Sequence, residues 1–147
     1  MFKIMLDYTY LKALIFKNHP KHELAQKMAE NIRNTAHLYL PPYTLNHIFE
    51  DINNKRDEKT KKLFENLCST TRNITPLSRK TQKSAYKLYE TTNTLTYEEC
   101  ITITLMYLYK IRHILSFNEN YDNIKKINRL FDIDKYNKKQ LNYHTYT

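Results

Sequence analysis

The stretch Phe2-Lys3-Ile4-Met5-Leu6-Asp7-Tyr8-Thr9-Tyr10-Leu11-Lys12-Ala13-Leu14-Ile15 decides how the rest of the chain is read. Residues 2–6 form a short apolar run that reads as a buried strand ending at Asp7. Tyr10, Leu11, Leu14 and Ile15 then recur at three- and four-residue spacing, so a helix follows with almost no loop. The run 2–6 lacks the polar alternation of a strand with one face in water, which predicts an interior position in a parallel sheet.

Outward from this unit the same alternation recurs. Asn18-His19-Pro20 breaks the chain, and Leu24, Ala25, Met28, Ala29 and Ile32 draw an apolar stripe on a second helix ending near Arg33. Residues 37–40 read as strand two. Pro41-Pro42 stops it and opens a helix marked by Leu45, Ile48, Phe49 and Ile52. Residues 53–62 carry mixed charges and read as a solvated turn entering a helix through Leu63, Phe64 and Leu67. Residues 72–74 predict a brief strand, and Pro76 starts a helix that buries Leu77, Ala85, Leu88 and Tyr89. Residues 94–99 supply a threonine cap with acids in the first turn, and a helix to about Lys110 follows. Residues 112–117 read as a buried strand, 119–124 as a helical turn and 128–131 as a last strand, while the chain after Asp134 is polar and loose. Strands alternating with helices imply an α/β fold with a mostly parallel sheet covered on both faces.

Composition bounds the chemistry. At 147 residues the chain is one domain, taken as 1–134 with a polar tail at 135–147. No run reaches the length of a membrane span and the N-terminus lacks the features of a signal peptide, so a cytoplasmic protein is expected. Cys68 and Cys100 lie far apart and offer no zinc spacing. Glycine is absent, which excludes a Walker loop and a GxGxxG fingerprint, because both bring Cβ-free backbone against phosphate. Positive φ angles must then fall to Asn and Asp. Lys and Arg outnumber Asp and Glu by 24 to 15, a net charge of +9 that favours a polyanion such as RNA and is equally met by a scattered basic surface.

Several segments resemble the PIN-domain family of metal nucleases. Residues 5–14 are similar to its opening strand and acidic turn, and residues 18–25 to the entry of its second helix. Residues 40–49, 95–101 and 114–121 resemble the segments that carry its second, third and fourth acids. The resemblance implies a parallel sheet in the order 3-2-1-4-5 and a Mg²⁺- or Mn²⁺-dependent endoribonuclease, often the VapC-type toxin of a toxin–antitoxin pair. It also implies an RNA substrate, a cognate antitoxin and a homodimer as partners, with no membrane. In such a sheet the strand order reverses between strands one and four, and ligands bind beyond the strand C-termini there.

The four positions would be Asp7, His47, Glu99 and Asn118, with Asp7 and Glu99 as metal ligands and Asn118 completing the catalytic set. Two of these depart from the family pattern: His47 stands for an acid and Asn118 for an aspartate. Thr9, Glu50, Glu98 and Asp122 are accessory candidates, as is His47 itself, and Glu119 lies nearby. Each residue also has a plain structural role open to it. Asp7 can cap the first helix, Glu98 and Glu99 can serve a helix dipole, His47 can sit against apolar neighbours, and Asn118 can turn the chain. A catalytically impaired PIN fold that binds RNA or protein is therefore the alternative function, and an oligomerising structural domain a third.

Overall fold

The structure, a computed structural model, describes residues 2–32, 35–74 and 77–132. The elements run β1 (Phe2–Leu6), α1 (Tyr8–Ile15), α2 (His22–Ile32), β2 (Ala36–Leu40), α3 (Thr44–Asp51), α4 (Glu58–Thr70) and β3 (Thr71–Asn73). Then come α5 (Arg79–Thr91), α6 (Tyr97–Leu108), β4 (His113–Leu115), a short 3₁₀ turn (Glu119–Tyr121) and β5 (Asn128–Leu130). The five strands form one parallel sheet in the order β3-β2-β1-β4-β5. This is the expected α/β class and strand order.

Strand β1 is central because both of its faces are greasy. Ile4 and Leu6 pack with α1, α2, Ile48 and Leu67 on one side of the sheet, while Met5 packs with Ile114, Ala85 and α6 on the other. Ile4, Met5 and Leu6 are each at most 3% exposed, so no edge position could satisfy them. Burial of this kind stabilises by about 25 cal/mol per Å² of apolar surface, which makes the two-sided strand the anchor of both layers.

Turn chemistry accounts for several boundaries. The chain has five residues of positive φ among those described, and three are asparagines: Asn53, Asn54 and Asn123. The other two, Lys110 and Lys126, depart from the expectation that Asn and Asp carry every such turn. Lys110 reverses the chain after α6, which ends at Leu108 rather than at Lys110. Helix α5 starts at Arg79 because Ser78 Oγ accepts from Thr81 N–H at 3.1 Å; Pro76, the expected start, lies outside the described residues, as do Arg33 and the tail. Tyr89 is 43% exposed rather than buried, and stacks at the surface against Tyr86 and Tyr97. Strand β4 is three residues instead of six, since the Phe117 N–H turns from the sheet to the Thr9 hydroxyl at 3.0 Å. Strand β5 stops one residue early, where Phe131 lies under the Arg129 guanidinium at 4.0 Å. Among the described residues no helix is long and apolar enough to cross a membrane.

Ile114 is wholly buried on β4, whereas Leu108 is 60% exposed. Ile114→Ala should cost about 2–5 kcal/mol of unfolding free energy in urea, and Leu108→Ala less than about 0.5. Equal losses would contradict the assignment of the core.

Candidate active site

The crevice beyond the C-terminal ends of β1 and β4 is built around Asp7. This residue follows β1 and caps α1, its Oδ2 accepting from Thr9 N–H at 3.2 Å and Thr9 Oγ1 at 2.5 Å. The same oxygen accepts from Ser116 Oγ at 2.7 Å, which ties the exit of β1 to the exit of β4. Ser116 Oγ in turn accepts from Asn118 N–H at 2.9 Å. Oδ1 of Asp7 takes no hydrogen bond among the described residues.

Glu99 reaches the crevice from the first turn of α6. It forms a capping box with Thr96: Glu99 N–H donates to Thr96 Oγ1 at 3.1 Å, and Thr96 N–H donates to Glu99 Oε1 at 2.7 Å. Its carboxylate also accepts from Nδ2 of Asn118 and, at 3.1 Å, from Nδ2 of Asn120. Asn118 is oriented at both ends, since its Oδ1 accepts from Asn120 N–H at 3.0 Å as the cap of the 3₁₀ turn. Residues 116–120 therefore form one bridge, its serine on Asp7 and its two amides on Glu99.

The phenols of Tyr43 and Tyr121 sit beside this bridge. Burial lifts both well above the ordinary tyrosine range; the Thr102 hydroxyl opposes this, and the negative charges of Asp7 and Glu99 reinforce it. Glu98 adds to the effect at Tyr43. Both rings thus stay protonated at neutral pH. Tyr43 donates to the Glu98 backbone oxygen at 2.6 Å and is hydrogen-bonded to Thr102.

His47 stands at the rim, where its Nε2 meets Glu98 Oε2 at 2.8 Å and its Nδ1 lies 4.0 Å from Glu50. Its ring packs on Tyr8 and Tyr43 at 5.3 and 5.9 Å between centroids, and Tyr8 donates to Asp51. The histidine pairs α3 with α6 through Glu98. Asp122 is held in a two-point pair with Arg129, at 2.8 and 2.9 Å, and Arg129 also donates to the Ser116 carbonyl. Glu119 is exposed on the 3₁₀ turn. The structure thus brings Asp7, Thr9, Glu99 and Asn118 into one network, sets His47, Glu50 and Glu98 in a second at the rim, and ties Asp122 to a third. Among the described residues no three His, Cys, Asp or Glu side chains gather closely enough to hold a metal ion by themselves.

Sequence reasoning missed Ser116, Asn120, Tyr43, Thr102 and Tyr121. Only Ser116 and Asn120 carried a signal: they flank Asn118 at two-residue spacing, the pattern of side chains that bond their own backbone.

No family model matches the chain, and no curated protein matches it in sequence. Solved structures do match. VapC20 of Mycobacterium tuberculosis, described as a toxin that cleaves the sarcin-ricin loop, superposes with a TM-score of 0.65 at 12% identity over 78% of this chain and 89% of that one. This chain has the fold of VapC toxins. A second match is VapBC2 of Rickettsia felis bound to a DNA fragment from its promoter, with a TM-score of 0.65 and 12% identity over 87% of this chain and 97% of that one. The likeness to VapC toxins extends over most of both chains, and at this identity it speaks for the PIN-like fold alone.

Asn118→Asp replaces a donor on Glu99 by a second negative charge. The like charges should raise a carboxyl pKa in the folded state, so the penalty is present at neutral pH and is lost as pH falls through the carboxylate range. The expected destabilisation at pH 7, read by urea unfolding with EDTA, is on the order of 1–3 kcal/mol. Millimolar Mn²⁺ should reverse it. A variant as stable as the parent at pH 7 would mean that Asn118 does not face Glu99.

Proposed function

We propose that the chain is a PIN-type endoribonuclease, the toxin half of a toxin–antitoxin pair, that works with Mg²⁺ or Mn²⁺ held by Asp7 and Glu99. The observation that carries this reading is the bridge of residues 116–120, which joins both carboxylates in the crevice at the strand-order reversal. The donor set suits a hard cation. Mg²⁺ is commonly held by one or two carboxylates, with waters and substrate phosphates completing the shell. Asp7 Oδ1, free of hydrogen bonds among the described residues, is the oxygen with which to begin such a shell. When bound, the ion would supply positive charge to the phosphoryl oxygens and acidify water.

The chain's own residues do the rest. Three donors on Asp7 Oδ2 fix the orientation of that carboxylate in the crevice. Asn118 positions Glu99 and offers an amide to the ion or its water. The buried Tyr121 and the half-buried Tyr43 cover one wall against bulk water. Scattered Lys and Arg, with thirteen tyrosines in the chain, would hold an RNA strand by charge and stacking. The VapBC2 complex supports a cognate antitoxin as a partner, and a homodimer belongs to the same proposal.

A second reading has its own observation. Both oxygens of Glu99 are already met by N–H groups, so the asparagine amides stand where a cation would otherwise balance the charge. On that reading the fold binds RNA or protein without cutting.

RNA cleavage with and without Mn²⁺ separates the two. The parent chain should cut only with metal, and Asp7→Asn should lower the rate by on the order of 10²–10³-fold, the usual cost of removing one charge-stabilising group. Binding without cleavage in both proteins would transfer the conclusion to the binding module.

A further inference from the structure

A second site lies at the opposite end of the sheet. Residues 110–112 lead into the start of β4 and residues 125–127 into the start of β5, so they sit at the N-terminal ends of these parallel strands, opposite the crevice at the C-terminal ends of β1 and β4. Between them is a cavity of about 630 Å³, lined by Tyr107, Lys110, Arg112, Lys125 and Lys126 with an apolar floor of Met106 and Ile111. Among the described residues no carboxylate lines it. Among the described residues none of the four cations makes a side-chain hydrogen bond or ion pair.

The cavity is built rather than incidental. Lys110 and Lys126 both hold the backbone in the left-handed region, at φ 57° and 64°, a conformation that costs a residue with a Cβ about 1–2 kcal/mol. These two turns bring separate cationic segments to one opening, and Tyr107 clamps them together by donating to the Lys125 carbonyl at 2.7 Å. More positive charge lies along the same sheet end. Lys3 donates to the Tyr109 carbonyl at 3.1 Å, next to Lys110. Besides its desolvation, the His37 imidazole is held below its ordinary pKa by the positive charges of Arg72, the N-terminus and Lys3.

We infer that this cavity is a phosphoryl-anion site, taking either a free nucleotide or pyrophosphate group or the phosphates of an RNA strand, with Tyr107 available to a base by stacking. Four cations around one opening match a multiply charged phosphate better than a single carboxylate, and a half-exposed tyrosine beside phosphate contacts is the usual platform for a nucleobase. The inference does not depend on the reading of the Asp7 crevice, because the two share no residue.

The test uses the full chain and two charge-matched double variants. Lys110→Glu with Lys126→Glu alters the cavity, and Lys80→Glu with Lys83→Glu removes the same charge from the exposed face of α5. Lys110→Gln with Lys126→Gln serves if the reversal impairs folding. Titrated with pyrophosphate and followed by amide chemical shifts, the parent should respond at residues 110–112 and 125–127. The cavity variants should bind at least roughly tenfold more weakly, since each charge-assisted contact contributes over a kcal/mol. The α5 variant should bind as the parent does. A parallel titration with a short labelled single-stranded RNA assigns the source: a loss confined to the cavity variants points to an RNA strand, and a loss seen only with pyrophosphate and mononucleotides points to a free phosphate compound. Equal weakening in the α5 variant, or no shift at the cavity in millimolar pyrophosphate, would overturn the inference. Asp7→Asn, included throughout, should leave pyrophosphate binding unchanged even if RNA cleavage is lost.

Discussion

One carboxylate oxygen holds the ends of two strands together. Asp7 Oδ2 gathers the Thr9 amide and hydroxyl and the Ser116 hydroxyl, and Asp7 N–H itself donates to the Leu115 carbonyl at 3.0 Å. These bonds fix where β1 ends, where α1 begins and where β4 leaves the sheet. The crevice is the consequence. With Ser116 drawn to Asp7, the amides of Asn118 and Asn120 meet the Glu99 carboxylate on α6. A network of this kind in low dielectric is worth more than its separate bonds, provided every member is satisfied.

Glu99 combines a helix cap with a contact to the loop after β4. As the third residue of α6 it closes a capping box, worth about 1 kcal/mol to the helix, and as an anion 8% exposed it needs compensation. Thr96, Asn118 and Asn120 supply that compensation with N–H groups. Among the described residues, Asp7 Oδ1 by contrast takes no hydrogen bond. His47 meets Glu98 at the rim and ties α3 to α6.

Much of the fold was legible because it rests on periodicity. The continuous run 2–6, the stripe through Ile48 and Phe49, and the threonine cap before Glu98 and Glu99 each carry a local signal, and the structure reproduces them. Asp7, Glu99 and Asn118, expected together from their places at strand exits and a helix start, share one hydrogen-bond network. Their partners could not be read, since Ser116 lies 109 residues from Asp7 and Tyr43 lies 59 from Thr102, separations that no local pattern encodes. Asp122 looked available because it follows a turn near the crevice. Arg129, arriving on β5, holds it instead. Tyr89 misled for a different reason: its helix buries only Thr81 and Ala85, and aromatic stacking at the surface satisfies the rest.

The central claim is that Asp7 and Glu99, bridged by residues 116–120, form one cation-binding site. Anomalous scattering from a crystal equilibrated with Mn²⁺ tests it most directly. A peak within coordination distance of Asp7 Oδ1 and a Glu99 oxygen is the expected result. A crevice without a peak at millimolar Mn²⁺, with Asn118 and Asn120 still donating to Glu99, would contradict the claim.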